Sequence, residues 1–197
     1  IKTTARRTFN EMRMRPAQEL GIDTFYYSIK AAAREMCAPL QNQIVTTGQA
    51  RTEEGIKIFA LDNYGYGKPG GCQGINCGHT MTPFIPGVNY MPDIDDDLKG
   101  LTEEQAIKNA NVQSKQRAME RAIRSSKERL HVAEEMHNEE LTAKYKTRLT
   151  EQKRALKSYV DKHPFLYRDY SRERYYSDPL NEIKSEIKLR NVAKKHA

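Results

Sequence analysis

Apolar and β-branched residues gather in three short runs in the first half of the chain: Thr24-Phe25-Tyr26-Tyr27-Ser28-Ile29, Gln43-Ile44-Val45-Thr46-Thr47 and Ile56-Lys57-Ile58-Phe59-Ala60-Leu61. Such runs, bounded by turn-forming residues, predict strands. Ahead of them, residues 4–19 predict a short basic helix ending at Gly21, with Pro16 poorly suited to its interior. Residues 64–92 follow neither the helical nor the strand period, and Gly and Pro recur throughout. A structureless loop of about thirty residues is uncommon inside a compact domain, so something other than backbone ladders is expected to hold it.

Beyond Gly100 the pattern changes. Thr102-Glu103-Glu104-Gln105 has the form of a capping box, with Thr102 as N-cap and Gln105 reaching back. From there to His163-Pro164 no Gly or Pro interrupts the chain, and apolar residues recur at near-helical spacing, among them Ile107, Met119, Ile123, Leu130, Ala133, Leu141, Leu149 and Leu156. One continuous helix would be about 90 Å long at 1.5 Å per residue. The spacing favours one long helix or coiled-coil arm over the alternative, a helical hairpin turning near His137-Asn138. After a short aromatic and charged segment, Asp178-Pro179 opens a last helix over 179–195, with Pro179 at its first position.

Charge and glycine divide the chain at the same place. Residues 1–100 carry 11 basic and 11 acidic side chains, whereas 101–197 carry 22 and 15, so the whole excess of +7 lies in the second half. Seven of the 11 glycines fall between Gly65 and Gly87, and none follows Gly100. The expected fold class is therefore α+β: a small N-terminal α+β module with a Gly/Pro-rich loop over 1–92, an acidic linker over 93–100, and a long, mostly α-helical basic arm over 101–197. No apolar run reaches the roughly 18 residues that a membrane-spanning helix needs, so no membrane role is expected. Three cysteines cannot pair completely, which points to reduced or metal-binding thiols rather than a disulfide scaffold. The first residues, Ile1-Lys2-Thr3-Thr4, lack an initiator Met and an apolar signal core, and lead to the expectation of a fragment or a processed product.

Candidate chemistry sits in the loop. Cys72, Cys77 and His79 lie close together in sequence, and Cys37 completes a set of thiol and imidazole groups, the ligands that zinc takes in closed tetrahedral sites. A zinc clip would order the loop, because binding energy in such sites acts as folding energy. Buried cysteines beside a loop histidine that bonds backbone is the other reading of the same residues. Cys77 as a nucleophile with His79 as base lacks a third residue to orient the imidazole. The Glu and Pro-Cys-x-x-Cys of a zinc deaminase are missing, and Gly65-Tyr66-Gly67-Lys68 lacks the spacing and the Ser or Thr of a phosphate loop. No enzymatic activity is expected. The basic second half interleaves acidic residues, as a solvated or partner-binding helix face does. Its best nucleic-acid-binding candidates are Lys184, Lys188, Arg190, Lys194 and Lys195, and a nucleic-acid-binding module with a metal-clipped loop is the alternative function.

The loop residues also carry a resemblance. Tyr64-Gly65-Tyr66-Gly67 leading to Cys72, Asn76-Cys77-Gly78-His79, and Pro83-Phe84-Ile85-Pro86-Gly87-Val88 resemble the signature of the phage minor capsid protein 2 family, a relative of the phage Mu F-like head morphogenesis proteins. Residues 28–41 are similar to a family stretch running from Ser-His to His-x-x-Trp-Gln-Gly. Lys115–Arg124 and Arg168-Asp169-Tyr170-Ser171-Arg172-Glu173 are similar to its charged helix and closing motif. The likeness spans most of residues 20–175, with the family's N-terminal part missing. Where the family has His, Trp, Gly and Arg, this chain has Ile29 or Lys30, Cys37, Leu40, Asn42 and Gly78. Replacing His by Cys at 37 exchanges one zinc ligand for another. The resemblance implies a structural virion component of a tailed phage head or neck, assembled in the host cytoplasm, with the portal or major capsid protein as partner. It further implies a part in head assembly or DNA delivery, near packaged DNA.

Overall fold

The computed structural model describes residues 2–175 and has an α+β fold. Its contacts divide the chain into two compact units, the division falling between Gln113 and Ser114. The helix expected over 179–195 lies outside the described residues.

The first unit begins with α1 (Lys2–Glu19). Asn10, Met14 and Ala17 are its buried residues, spaced four and three apart and therefore on one face. Gly21 ends the helix at φ 82°, with the amides of Gly21 and Ile22 returning to the Gln18 and Ala17 carbonyls. That left-handed stop costs glycine nothing, since it has no Cβ. Pro16 is retained inside the last turn, where its missing N–H removes one backbone bond without ending the helix.

Among the described residues five strands form one sheet: β1 (Thr24–Tyr27), β2 (Gln43–Thr46), β3 (Arg51–Glu53), β4 (Ile56–Ala60) and β5 (Met81–Pro83), in the order β3-β4-β2-β1-β5. β2 and β4 run parallel; the other neighbours are antiparallel. Side chains alternate across the sheet as the pleat requires. Phe25, Tyr27, Val45 and Met81 join Met14, Leu40 and Leu61 in the main core, while Tyr26 joins Ile44, Ile58 and Phe84 in a smaller one. The three runs read from the sequence become β1, β2 and β4. Strand β3 was not foreseen; it exists because Glu54 and Gly55 take φ of 48° and 74°, the two left-handed positions of a tight hairpin turn.

The Gly/Pro-rich stretch is not a structureless loop. It begins at the last residue of the 3-10 turn Leu61–Tyr64 and contains β5. Much of the holding comes from a web of short turns rather than a ladder: Cys72 N to Tyr64 O, Gly67 N to Cys72 O, Ile75 N to Pro69 O and Cys77 N to Gly74 O. A Cβ at Gly71 would collide with the Gly65 carbonyl, and one at Gly74 with the Lys68 carbonyl, so these two glycines permit the close chain approach. Arg34 adds a side-chain tie, donating from Nη2 to Gly71 O at 2.9 Å. Residues 93–100 are largely exposed and include the 3-10 turn Asp96–Leu98.

Helix α2 (Glu103–Glu135) starts in this unit. Thr102 Oγ1 accepts from Gln105 N at 3.2 Å, but the Gln105 side chain turns forward to Asn109 Oδ1 instead of back to the cap. Ala106 is buried in the main core, and Asn109 donates to Ala31 O at 2.7 Å.

The second unit corrects the single-rod reading. α2 stops at Glu135, and α3 (Glu139–Asp161) starts after Asn138, whose Oδ1 accepts from Leu141 N at 2.9 Å. His137 sits between them at φ 53°. The chain then folds back, with Lys115 Nζ over the Tyr159 ring near one end and Lys146 paired with Glu134 near the other. The hairpin buries Ile123, Ala133 and Leu156, and with them the polar Gln116, Glu120 and Ser126. Gln116 Nε2 donates to Tyr167 O, and Arg117 forms a two-pronged pair with Glu120. The Arg168–Glu173 segment closes the unit as a clip. Its two ends pair through bonds of 2.6 and 2.9 Å, and Lys127 Nζ donates to Glu173 O.

Candidate metal centre

The site is assembled where three parts of the first unit meet. Cys37 stands at the head of the 3-10 turn Ala38–Leu40, its amide bonded to Arg34 O. Cys77 ends the web of glycine turns, following Asn76 at a left-handed φ of 62°. His79 lies two residues before β5. Its carbonyl accepts from Asn10 Nδ2 at 3.1 Å and Gln73 Nε2 at 3.2 Å, while Met81 N donates to Asn10 Oδ1. Helix α1 thus fixes the strand entry that carries the histidine.

Cys37, Cys77 and His79 come together, with their ligand atoms all within 4.8 Å of one another. The two sulfurs are 4.0 Å apart, and Cys77 Sγ is 3.4 Å from His79 Nδ1. Around tetrahedral zinc, with bonds of about 2.3 Å to sulfur and 2.0 Å to nitrogen, ligand atoms lie roughly 3.5–3.8 Å apart. The two edges at Cys77 match that figure to within a few tenths of an ångström, and the Cys37–His79 edge lies within 4.8 Å. All three side chains are buried, from 1% exposed for Cys37 to 7% for Cys77. Tyr27 Oη, on β1, is 3.7 Å from Cys77 Sγ, and its ring lies over the His79 imidazole with centroids 4.8 Å apart. His79 Nε2, on the far side of the ring, is 3.0 Å from Gln41 Oε1.

Electrostatics separate the thiols. The Cys37–Cys77 hydrogen bond, reinforced by burial, raises Cys37 far above the ordinary thiol range. The same bond holds Cys77 well below it. The thiolate is the form of cysteine that binds metal. Burial likewise pushes the Tyr27 phenol up.

Cys72 is not part of this group. It is fully buried, its sulfhydryl directed at Leu61 O at 3.7 Å, and burial raises it to about 12. Of the four sequence candidates the fold brings three together and leaves the fourth as a core thiol. Tyr27 and Gln41 border the site but carried no metal-ligand signal in the sequence. Tyr27 read as a strand residue, and Gln41 lay inside the stretch similar to Trp-Gln-Gly. The basic candidates Lys184, Lys188, Arg190, Lys194 and Lys195 lie outside the described residues.

Comparison with known proteins now bears on identity. The family model described as phage minor capsid protein 2 matches residues 1–161. The chain belongs to that family. The match takes in the first twenty residues, which the motif resemblance left out, and stops short of the Arg168–Glu173 clip. A protein of Lactococcus phage LL-H described as a structural protein is 35% identical over 176 residues, covering 88% of this chain and 46% of that protein. A structural protein of Lactococcus phage mv4 is 36% identical over 118 residues, 60% of this chain and 92% of that one. The chain thus spans about half the length of the LL-H relative. No solved structure matches it. Among the described residues no helix is long and apolar enough to cross a membrane.

Proposed function

We propose that this chain is a non-enzymatic minor component of a phage head or neck, assembled in the host cytoplasm. In this reading it docks on the portal or major capsid protein and takes part in head assembly or DNA delivery. The observation that carries the reading is the family match over residues 1–161, supported by two relatives described as structural proteins. A module over 1–92, an acidic connection over 93–100 and a basic helical part over 101–197 then divide the work. The module is held by a zinc ion on Cys37, Cys77 and His79, and the helical part makes contacts with neighbours. The excess of Lys and Arg after Gly100 supports a position near packaged DNA, with Lys184, Lys188, Arg190, Lys194 and Lys195 as the phosphate-facing residues.

Deep burial of the thiols and the imidazole favours a clip over a catalytic centre, since substrate would have to reach the position that three protein ligands leave open. Bound zinc would supply folding energy and, through its positive charge, hold both cysteines as thiolates. Lysine-directed crosslinking of purified virions, read by mass spectrometry, tests the docking. Crosslinks from residues 101–197 to portal or major capsid protein are expected. Crosslinks confined to tail proteins would overturn it.

A further inference from the structure

Around the metal centre, hydrogen bonding runs in one direction. Lys30 N–H donates to Gln41 Oε1 at 2.7 Å. A backbone amide can only donate, so this bond fixes which end of the Gln41 carboxamide is oxygen. That same oxygen lies 3.0 Å from His79 Nε2. A carboxamide oxygen accepts and cannot donate, so Nε2 must carry a hydrogen. In the neutral imidazole the lone pair is then on Nδ1, the nitrogen facing Cys77 Sγ at 3.4 Å. The choice of tautomer is thus transmitted from the backbone at Lys30, through Gln41, to the ligand nitrogen.

We infer that Gln41 is the positioning residue of the metal centre: by accepting from Nε2–H, it presents His79 Nδ1 to the ion. The inference rests on the metal reading above and adds which nitrogen binds and what selects it. Metal-ligating histidines are held by such outer partners, whose removal weakens affinity by roughly 10- to 100-fold. Neighbouring features fit the role. Asn42 N is tied to Tyr27 O, and Tyr27 stacks on the His79 ring, so the Gln41 backbone and the ring plane are both anchored to β1. Gln41 is not itself placed to bind the ion, because its oxygen is on the opposite side of the imidazole.

The test is zinc affinity of the full chain by competition with a chromophoric chelator, for wild type, Gln41→Leu and Gln41→Glu. Gln41→Leu removes the acceptor and is expected to weaken binding about 10- to 100-fold. Gln41→Glu keeps an acceptor and is expected to retain affinity within about threefold of wild type. Equal affinity for wild type and Gln41→Leu, or an equal loss in both variants, overturns the inference while leaving the metal reading intact. No zinc uptake by wild type overturns both. A measurement on wild type alone guards against misfolded variants: after loading with cadmium-113, scalar coupling should appear to His79 Nδ1. Coupling to Nε2 overturns the proposal.

Discussion

Five positions separate Cys72 from Cys77, and burial alone does not distinguish them; what their sulfur atoms face does. Cys72 points at a carbonyl within the main core, whereas Cys77 faces a second thiol, a phenol and an imidazole. Replacing Cys77 or Cys37 by Ala should therefore abolish zinc uptake and lower the unfolding midpoint of the zinc-loaded chain. Cys72→Ala should keep one zinc per chain and lose about 1 kcal/mol of packing. Elemental analysis beside urea unfolding checks both. Sequence reading reached all three residues of the ligand group, together with Cys72, which lies outside it, because Cys and His announce themselves. Gln41 was not legible. Its role depends on an amide orientation set by a backbone N–H eleven positions earlier, and nothing in residue type or spacing records that.

At the scale of elements, the edge of the sheet is held by charge. Arg51 on β3 makes a two-pronged pair with Asp23, at 2.9 and 2.7 Å, and Thr46 on β2 donates to the same carboxylate. The Arg51 guanidinium holds the Asp23 carboxyl below its ordinary value. A carboxyl whose folded value is depressed contributes stability above the unfolded value of about 3.9, and loses it as pH falls through the lower folded value. Asp23→Asn should cost less than about 1 kcal/mol at pH 7, since the pair is partly exposed and screened. The difference should vanish in strong acid, as urea midpoints at the two pH values would show. Element types were mostly legible from period. The break between α2 and α3 was misread because the chain there has no Gly or Pro. The available signal was Asn138 followed by Glu139 and Glu140, an N-cap with an acidic first turn. His137 accepts the left-handed turn in glycine's place.

At the scale of the whole molecule, the composition shift at Gly100 does not coincide with the division between the two compact units, which falls between Gln113 and Ser114 because α2 begins in the first unit. The segment similar to the family's closing motif turns out to be the Arg168–Glu173 clip. Its mixed charges made that hard to foresee, since which of several ion pairs forms depends on the hairpin beneath. The chain belongs to the phage minor capsid protein 2 family, and its relatives in Lactococcus phages LL-H and mv4 are described as structural proteins. The most direct test of the central claim is quantitative mass spectrometry of density-purified, DNA-filled particles of the parent phage, using isotope-labelled peptides from residues 1–175. The account predicts this polypeptide at a few copies per particle, in fixed ratio to the portal protein. Its absence from particles, with abundant free protein in the lysate, would contradict it.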